Sequence, residues 1–395
     1  MKKFLSSMPL TLLMTVIAAF FIGQAVSVSV VSFFYTLSKT IIEIVMLFLP
    51  IMIFCFLFQA ISIFEKGAGR VLLFLFLGVM LSQLMALLIA YMVAFFGLPI
   101  LGIHNQKNIV ALLQSSKKHI EVLWNLTIAC PISASTSMIS AIVLGLCTTR
   151  LHQENIFKKK LIFYTQRCGN AIIWGIKKFF FPLLPVYIFG FCMKLGFEGS
   201  LNLLLKSYLK VLLLGLVFLT IYIAMLYRLT AKDWKEWKEN IKTMAPALIT
   251  GFSTMSSAIT LPVTLQCCEK TTKDVTLTRL VIPTVANIHL LGDCFMVTLI
   301  ILSLSKIFNV SYPNFWQFFQ FAIGFIIARF SGTGIPGGTI LVILPVVERF
   351  FDFSTEMLSL LTTIYVLQDS FGTAGNVMGN GAFVLIAKKI KDYKK

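Results

Sequence analysis

Four polar residues line one face of an otherwise apolar stretch near the C-terminus. Asp369, Thr373, Asn376 and Asn380 recur at i, i+4, i+7 and i+11, so a helix brings them into register. A carboxylate inside so apolar a run is costly and marks function by default. Two further segments concentrate residues that break helices. Between Gly251 and Pro262 stand Ser253, Thr254, Ser256, Ser257 and Thr260. The stretch from Ser331 to Gly338 reads Ser-Gly-Thr-Gly-Ile-Pro-Gly-Gly, with Gly334 and Ile335 at its centre. That glycine and proline content does not sustain a helix. Backbone freed from helical bonding inside a bilayer must be buried in protein or line a cavity. Two such breaks in apolar segments point to a transporter site. The helix halves flanking each break can aim their N-terminal amides at an anion, which suits a substrate carboxylate.

The elements that must hold these residues are membrane helices. The chain has 395 residues, 58% hydrophobic and 13% charged, whereas soluble domains carry about 25% charged residues. Mean hydropathy is +0.89. Several apolar stretches reach the ~20 residues that cross a bilayer. The pattern predicts an all-α polytopic membrane protein with eight transmembrane helices, at roughly 9–31, 40–63, 71–96, 122–147, 172–195, 203–228, 277–306 and 356–387. Two interrupted hairpins, 243–272 and 316–350, complete it. The charged start Met1-Lys2-Lys3 precedes an apolar run to about Val31 with no clear cleavage site, which reads as a retained first helix. The Trp-bearing stretch from Asp233 to Asn240 reads as a short surface helix.

Net charge is +18. The basic residues cluster in the connections on one side, which orients the chain with both termini in the cytoplasm and makes nucleic acid a poor explanation. The eight cysteines lie mostly in apolar runs without zinc-ligand spacing, and read as small buried hydrophobes rather than a disulfide framework. No P-loop, zinc motif or nucleophile elbow is present, so the chain reads as a non-enzyme without a cofactor.

The residues from Ala245 to Thr264 resemble the first re-entrant hairpin of the dicarboxylate/amino acid:cation symporter (glutamate transporter) family, with its serine-rich tip and Thr-Leu-Pro-Val-Thr exit. The Gly334-to-Gly338 stretch is similar to the second hairpin tip. Asp369-Ser-Phe-Gly-Thr-Ala-Gly-Asn376-Val-Met-Gly379 resembles the last-helix motif. Weaker likeness at Pro50 and Gly69-Arg70-Val71 extends it over essentially the whole chain. The resemblance implies a homotrimer in the inner membrane. Residues 1–242 would hold helices 1–6, with a trimerisation scaffold from helices 1, 2, 4 and 5. Residues 243–395, with helices 3 and 6, would form a transport unit that moves like an elevator, the second hairpin acting as its gate. It further implies that Asp369 binds a substrate ammonium and that Thr373 and Asn376 contact the amino-acid backbone groups. Ser256 and Ser257 would meet the α-carboxylate, and Gly334 and Ile335 would cover it.

The departures from the family are specific. Acidic-substrate members carry an arginine where this chain has Gly372, or at the first tip where it has Met255. Without a guanidinium to pair a second carboxylate, a neutral amino acid is expected, unless Arg329 reaches inward. The family's Asn-Met-Asp-Gly-Thr falls on His289-Leu-Leu-Gly-Asp293, and its last-helix sodium aspartate falls on Asn380. Hard cations need oxygen ligands, so these changes weaken the sodium sites. His289 and Asp293 stand at i, i+4 and could face each other in a helix; histidine titrates near physiological pH, so the pair is a candidate for proton coupling. Arg329 could instead stand in for a bound sodium. The expected function is a secondary active symporter of an amino acid, coupled to H+ or Na+. A sodium-coupled glutamate/aspartate or C4-dicarboxylate symporter is the runner-up, and a degenerate non-transporting, channel or sensor paralogue the third.

Overall fold

The structure, a computed structural model, describes the chain apart from residues 1–7, 63–68, 104–119, 127–131, 133, 150–154, 200, 311, 331–336 and 394–395. Every regular element among the described residues is a helix. Helix α1 (Met8–Ala25) gives way to α2 (Val28–Ser62) at residues 26–27, earlier than the hydropathy pattern places the boundary. The reason is that α2 absorbs its polar residues. Thr36 and Ser38 donate to the carbonyls of Ser32 and Phe34 at 2.6 and 3.0 Å, so they need no loop.

Helix α3 (Gly69–Ile100) is followed by α4 (Ala134–Thr149), which starts later than the expected 122. Residues 120–126 are not helical. There Leu123 N–H and Trp124 Nε1 donate to Thr36 and Thr40 of α2. Helix α5 (Ile156–Gly175) runs through a π-helical turn (Ile176–Phe180) into α6 (Phe181–Phe197). The expected span 172–195 is thus the second part of a longer helical run, widened just ahead of Pro182. Lys158, Lys159 and Lys160 belong to this helix rather than to a loop.

Helix α7 (Leu201–Thr230) leads to α8 (Trp234–Thr254). The Trp-bearing stretch is the first turns of α8, not a separate helix. It is capped by Asp233, which accepts from Glu236 N–H at 2.7 Å. The chain turns at Met255 (φ 52°) and Ser256 into α9 (Ser257–Thr272). Cys268 lies 3.7 Å from Met244, sulfur to sulfur, so α9 runs back along α8.

The helix expected over 277–306 is two helices, α10 (Val275–Val285) and α11 (Leu291–Ile307). Pro283 removes an amide donor near the end of α10. The N–H groups of Ile288 and His289 both fold onto the Val285 carbonyl, which closes the turn. Helix α12 (Phe315–Arg329) opens with a capping box of Asn314 and Gln317. Helix α13 (Gly338–Phe351) returns along it, with Gly324 facing Val346. The last helix, α14 (Thr355–Tyr393), is longer than expected at its C-terminal end.

The helices pack in two groups. One contains α1, α2, α4, α5 and α6; the other gathers α3 and α7–α13 around α14. Contacts between them include Tyr187 Oη, which donates to the Ser359 carbonyl at 3.0 Å. Among the described residues two helices, Phe74–Ile100 and Lys206–Thr230, are long and apolar enough to cross a membrane, and several shorter apolar helices accompany them. Apart from Lys306, α11 is buried all round, as expected of a helix without a polar face.

The tightest crossing joins α11 to α14. A Cβ on Gly292 would run into the Gly372 carbonyl, and one on Gly375 would stand 3.0 Å from the Gly292 Cα. Glycine is required there by backbone-to-backbone approach. Gly292→Ala is therefore expected to lower stability by about 1–3 kcal/mol through overpacking. Gly175→Ala, where an added Cβ meets nothing within 4 Å, should change it by no more than about 0.5 kcal/mol. Thermal unfolding of the two variants in detergent tests the contrast, and equal shifts would refute the crossing.

Candidate functional site: two buried carboxylates beside the last helix

The polar face of α14 is buried: Asp369, Thr373, Asn376 and Asn380 are all at most 3% exposed. Asp369 is held by three donors. Tyr365 Oη and Thr373 Oγ1 donate to Oδ1 at 3.0 and 3.3 Å, and Gly337 N–H donates to Oδ2 at 2.7 Å. Gly337 adopts φ +69° as the N-cap of α13, a conformation glycine takes without strain. The positive end of α13 therefore faces this carboxylate.

The first turn approaches the same face one helical turn further on. Gly251 of α8 lies against Thr373 and Val377, where a Cβ would meet the Val377 side chain at 3.1 Å. Phe252 packs edge-on against Phe371 at 5.1 Å. Ser256 caps α9 by accepting from Ile259 N–H at 3.3 Å, and Ser257 is its first residue. Both serines are buried. Gly334 and Ile335 lie outside the described residues.

Asp293 and Arg329 form a second buried centre. Arg329 ends α12 and its Nη2 stands 3.3 Å from Asp293 Oδ2, with the two side chains 1% and 2% exposed. Thr339, in the first turn of α13, donates to the same oxygen at 2.6 Å. Arg329 does reach inward, and what it reaches is Asp293. Asn376 links the two centres. Its Oδ1 accepts from Asp293 N–H at 3.1 Å, capping a helix whose own N-cap, Leu290, offers no side-chain acceptor.

His289 and Asp293 do not face each other, because the interruption of the helix at residues 286–290 puts His289 ahead of α11. The imidazole instead lies 3.0 Å from Asn380 Oδ1 through Nδ1 and 2.9 Å from Ser82 Oγ of α3 through Nε2. Leu291, at the position the resemblance gives to a sodium-binding aspartate, is buried and packs on Gly379. Tyr365, Thr339 and Ser82 escaped the sequence reading. Tyr365 was findable, because it stands one helical turn before Asp369, as Thr373 stands one turn after. Thr339 and Ser82 carry no local signal, since long-range packing alone aims them.

A terminal helix that buries a carboxylate against α8, α9 and α13 is the setting of this site, and comparison with known proteins assigns the chain to a family. The chain belongs to the sodium:dicarboxylate symporter family, whose model matches residues 8–390. It is 26% identical over 251 residues to the serine/threonine transporter SstT of Acinetobacter baylyi, covering 62% of this chain and 61% of that protein. It is 31% identical over 140 residues to the putative sodium-dependent excitatory amino acid transporter glt-3 of Caenorhabditis elegans, covering 35% of this chain and 25% of that one. The chain thus spans less than two thirds of the length of either relative. The family is one of symporters, which are membrane proteins and not enzymes.

The two ties on Asp293 Oδ2 should rank by charge. Thr339→Val removes a charge-assisted hydrogen bond and is expected to cost about 1.5–3 kcal/mol. Arg329→Met leaves a carboxylate unpaired in the interior and should cost more, about 3–5 kcal/mol. Unfolding of the purified variants tests this order, and the reverse order would show that the ion pair is not the main anchor.

Proposed function

We propose that the protein is a secondary active symporter that takes up a neutral amino acid across the inner membrane together with one proton. In this reading Asp369 binds the substrate ammonium, Thr373 and Asn376 meet its backbone groups, and the N-terminus of α9 at Ser256 and Ser257 receives its carboxylate. The hairpins α8–α9 and α12–α13 are re-entrant, and the chain crosses the bilayer eight times with both termini in the cytoplasm. The α1, α2, α4–α6 group is the trimer scaffold, and the remainder is the moving unit of an elevator.

The observation that carries the neutral substrate is at Gly372. A side chain there would meet Asp293 Oδ1 at 2.9 Å, so a carboxylate occupies the space into which an arginine would project. The one buried guanidinium of this cluster, Arg329, already pairs that carboxylate. A second substrate carboxylate would stand against Asp293 and face repulsion, which is expensive. The runner-up, a sodium-coupled acidic-substrate symporter, requires the unpartnered Nε and Nη1 of Arg329 to offset that repulsion.

Charge favours one coupled cation. Asp369 and Asp293 against Arg329 leave this buried group one negative charge in excess, and a zwitterion adds none. A single proton on His289 brings the sum to zero. The ring can take and release that proton without losing a partner. With Nδ1 protonated the ring donates to Asn380 Oδ1, and Nε2 then accepts from Ser82 when neutral and donates to it when charged. Binding itself requires the second hairpin turn to lift, since the Gly337 amide occupies Asp369.

Uptake in proteoliposomes under separately imposed proton and sodium gradients tests this. Proton-driven accumulation of serine or alanine is expected, without glutamate accumulation. His289→Gln should lose accumulation by tenfold or more while keeping amino-acid exchange. Sodium-driven glutamate uptake would overturn both the substrate and the ion.

A further inference from the structure

Two thiols meet between α2 and α5, within the first group of helices. Cys55 stands on α2 and Cys168 on α5, and the two helices pack together. The thiols are hydrogen-bonded to each other. The backbones come close beside them. Gly169 follows Cys168, and a Cβ there would stand 3.0 Å from the ring of Phe56, which follows Cys55. Both cysteines are free.

The two differ in access. Cys55 is 3% exposed, whereas Cys168 is exposed. Gln166, Arg167 and Asn170 beside Cys168 are exposed as well, so its surroundings open to water rather than to lipid tails. Helix α5 carries Lys158, Lys159, Lys160 and Arg167 and no acidic residue, the electropositive setting in which reactive thiols are found. An accessible thiol poised next to a second one is the arrangement of a redox-sensing pair. Cys267 and Cys268, by contrast, are buried neighbours on one helix, where successive side chains diverge. We infer that Cys55 and Cys168 join in a reversible disulfide when a hydroperoxide oxidises Cys168.

The chemistry has two steps. The Cys168 sulfur attacks one oxygen of the peroxide. The O–O bond breaks, an S–O bond forms, and the other oxygen leaves as water or alcohol with the thiol proton. The Cys55 sulfur then attacks the sulfur of the Cys168 sulfenic acid. The S–O bond breaks, the S–S bond forms, and hydroxide leaves as water with the Cys55 proton. The two thiols lose two electrons and the peroxide gains them. Burial keeps the oxidant from Cys55, so the first step falls to Cys168 and the second to Cys55. The bridge ties α2 to α5, and exchange with a dithiol reverses it.

The test applies hydrogen peroxide to the full chain in proteoliposomes, alkylates the remaining thiols and maps the peptides by mass spectrometry. A peptide pair joined through Cys55 and Cys168 is expected, and dithiothreitol should release it. Two variants read the division of labour. In Cys55→Ser nothing resolves the sulfenic acid, so Cys168 should go on to the sulfinic acid. In Cys168→Ser, Cys55 should stay a thiol that alkylates once the protein is unfolded. Cys147, also exposed, is the comparison within the same sample. Sulfinic acid at Cys168 of the unmodified protein, with Cys55 still a thiol, would overturn the inference. So would a Cys168 that stays reduced at a dose oxidising Cys147, or a bridge joining Cys168 to a different cysteine.

Discussion

The buried pairing of Asp293 with Arg329 is the constraint around which the site is arranged. Moving two charges out of water costs several kcal/mol per ion in effective terms, and their attraction offsets this only when geometry and further hydrogen bonds are good. Here the guanidinium comes from the end of α12, a hydroxyl from the start of α13, and the carboxylate from the first turn of α11. Arginine at a helix C-terminus also suits the local dipole. One carboxylate thereby ties both α12 and α13 to the helix that crosses α14.

That crossing explains how a carboxylate on α11 comes to lie beside a carboxylate on α14. Gly292, Gly372 and Gly375 let the two backbones touch, and Asn376 caps α11 across the contact. With side chains at these positions the helices would stand further apart and Asp293 would not overhang Gly372. The close approach of two acids is offset by Arg329 on one side. On the other, Asp369 is surrounded by the Gly337 amide and two hydroxyls.

Much of this was legible in the sequence, for physical reasons. Helical spacing alone put Asp369, Thr373, Asn376 and Asn380 on one face, and the serine-rich stretch before Pro262 marked the turn between α8 and α9. Helix boundaries were less accessible. Hydroxyls that bond their own helix, as Thr36 and Ser38 do, imitate a loop in composition while the backbone stays helical. The break between α10 and α11 hid within an apolar run, and with it the separation of His289 from Asp293. An i, i+4 spacing brings side chains together only if the intervening residues are helical, and residues 286–290 are not. The partner of Arg329 was beyond local reading altogether, since it lies in another helix of the fold.

Helix α14 is fastened at its far end as well. Lys391 pairs with Asp274 at the start of α10, and Lys389 donates to the Leu229 carbonyl of α7. Between that fastening and the glycine contact, α11 and α14 form a fixed jaw: main chain pressed on main chain has no room to slide. Helices α12 and α13 meet this jaw through a guanidinium, a hydroxyl and one amide. The carboxylates are thus seated by main-chain contact and joined to α12 and α13 by polar groups, two different kinds of contact.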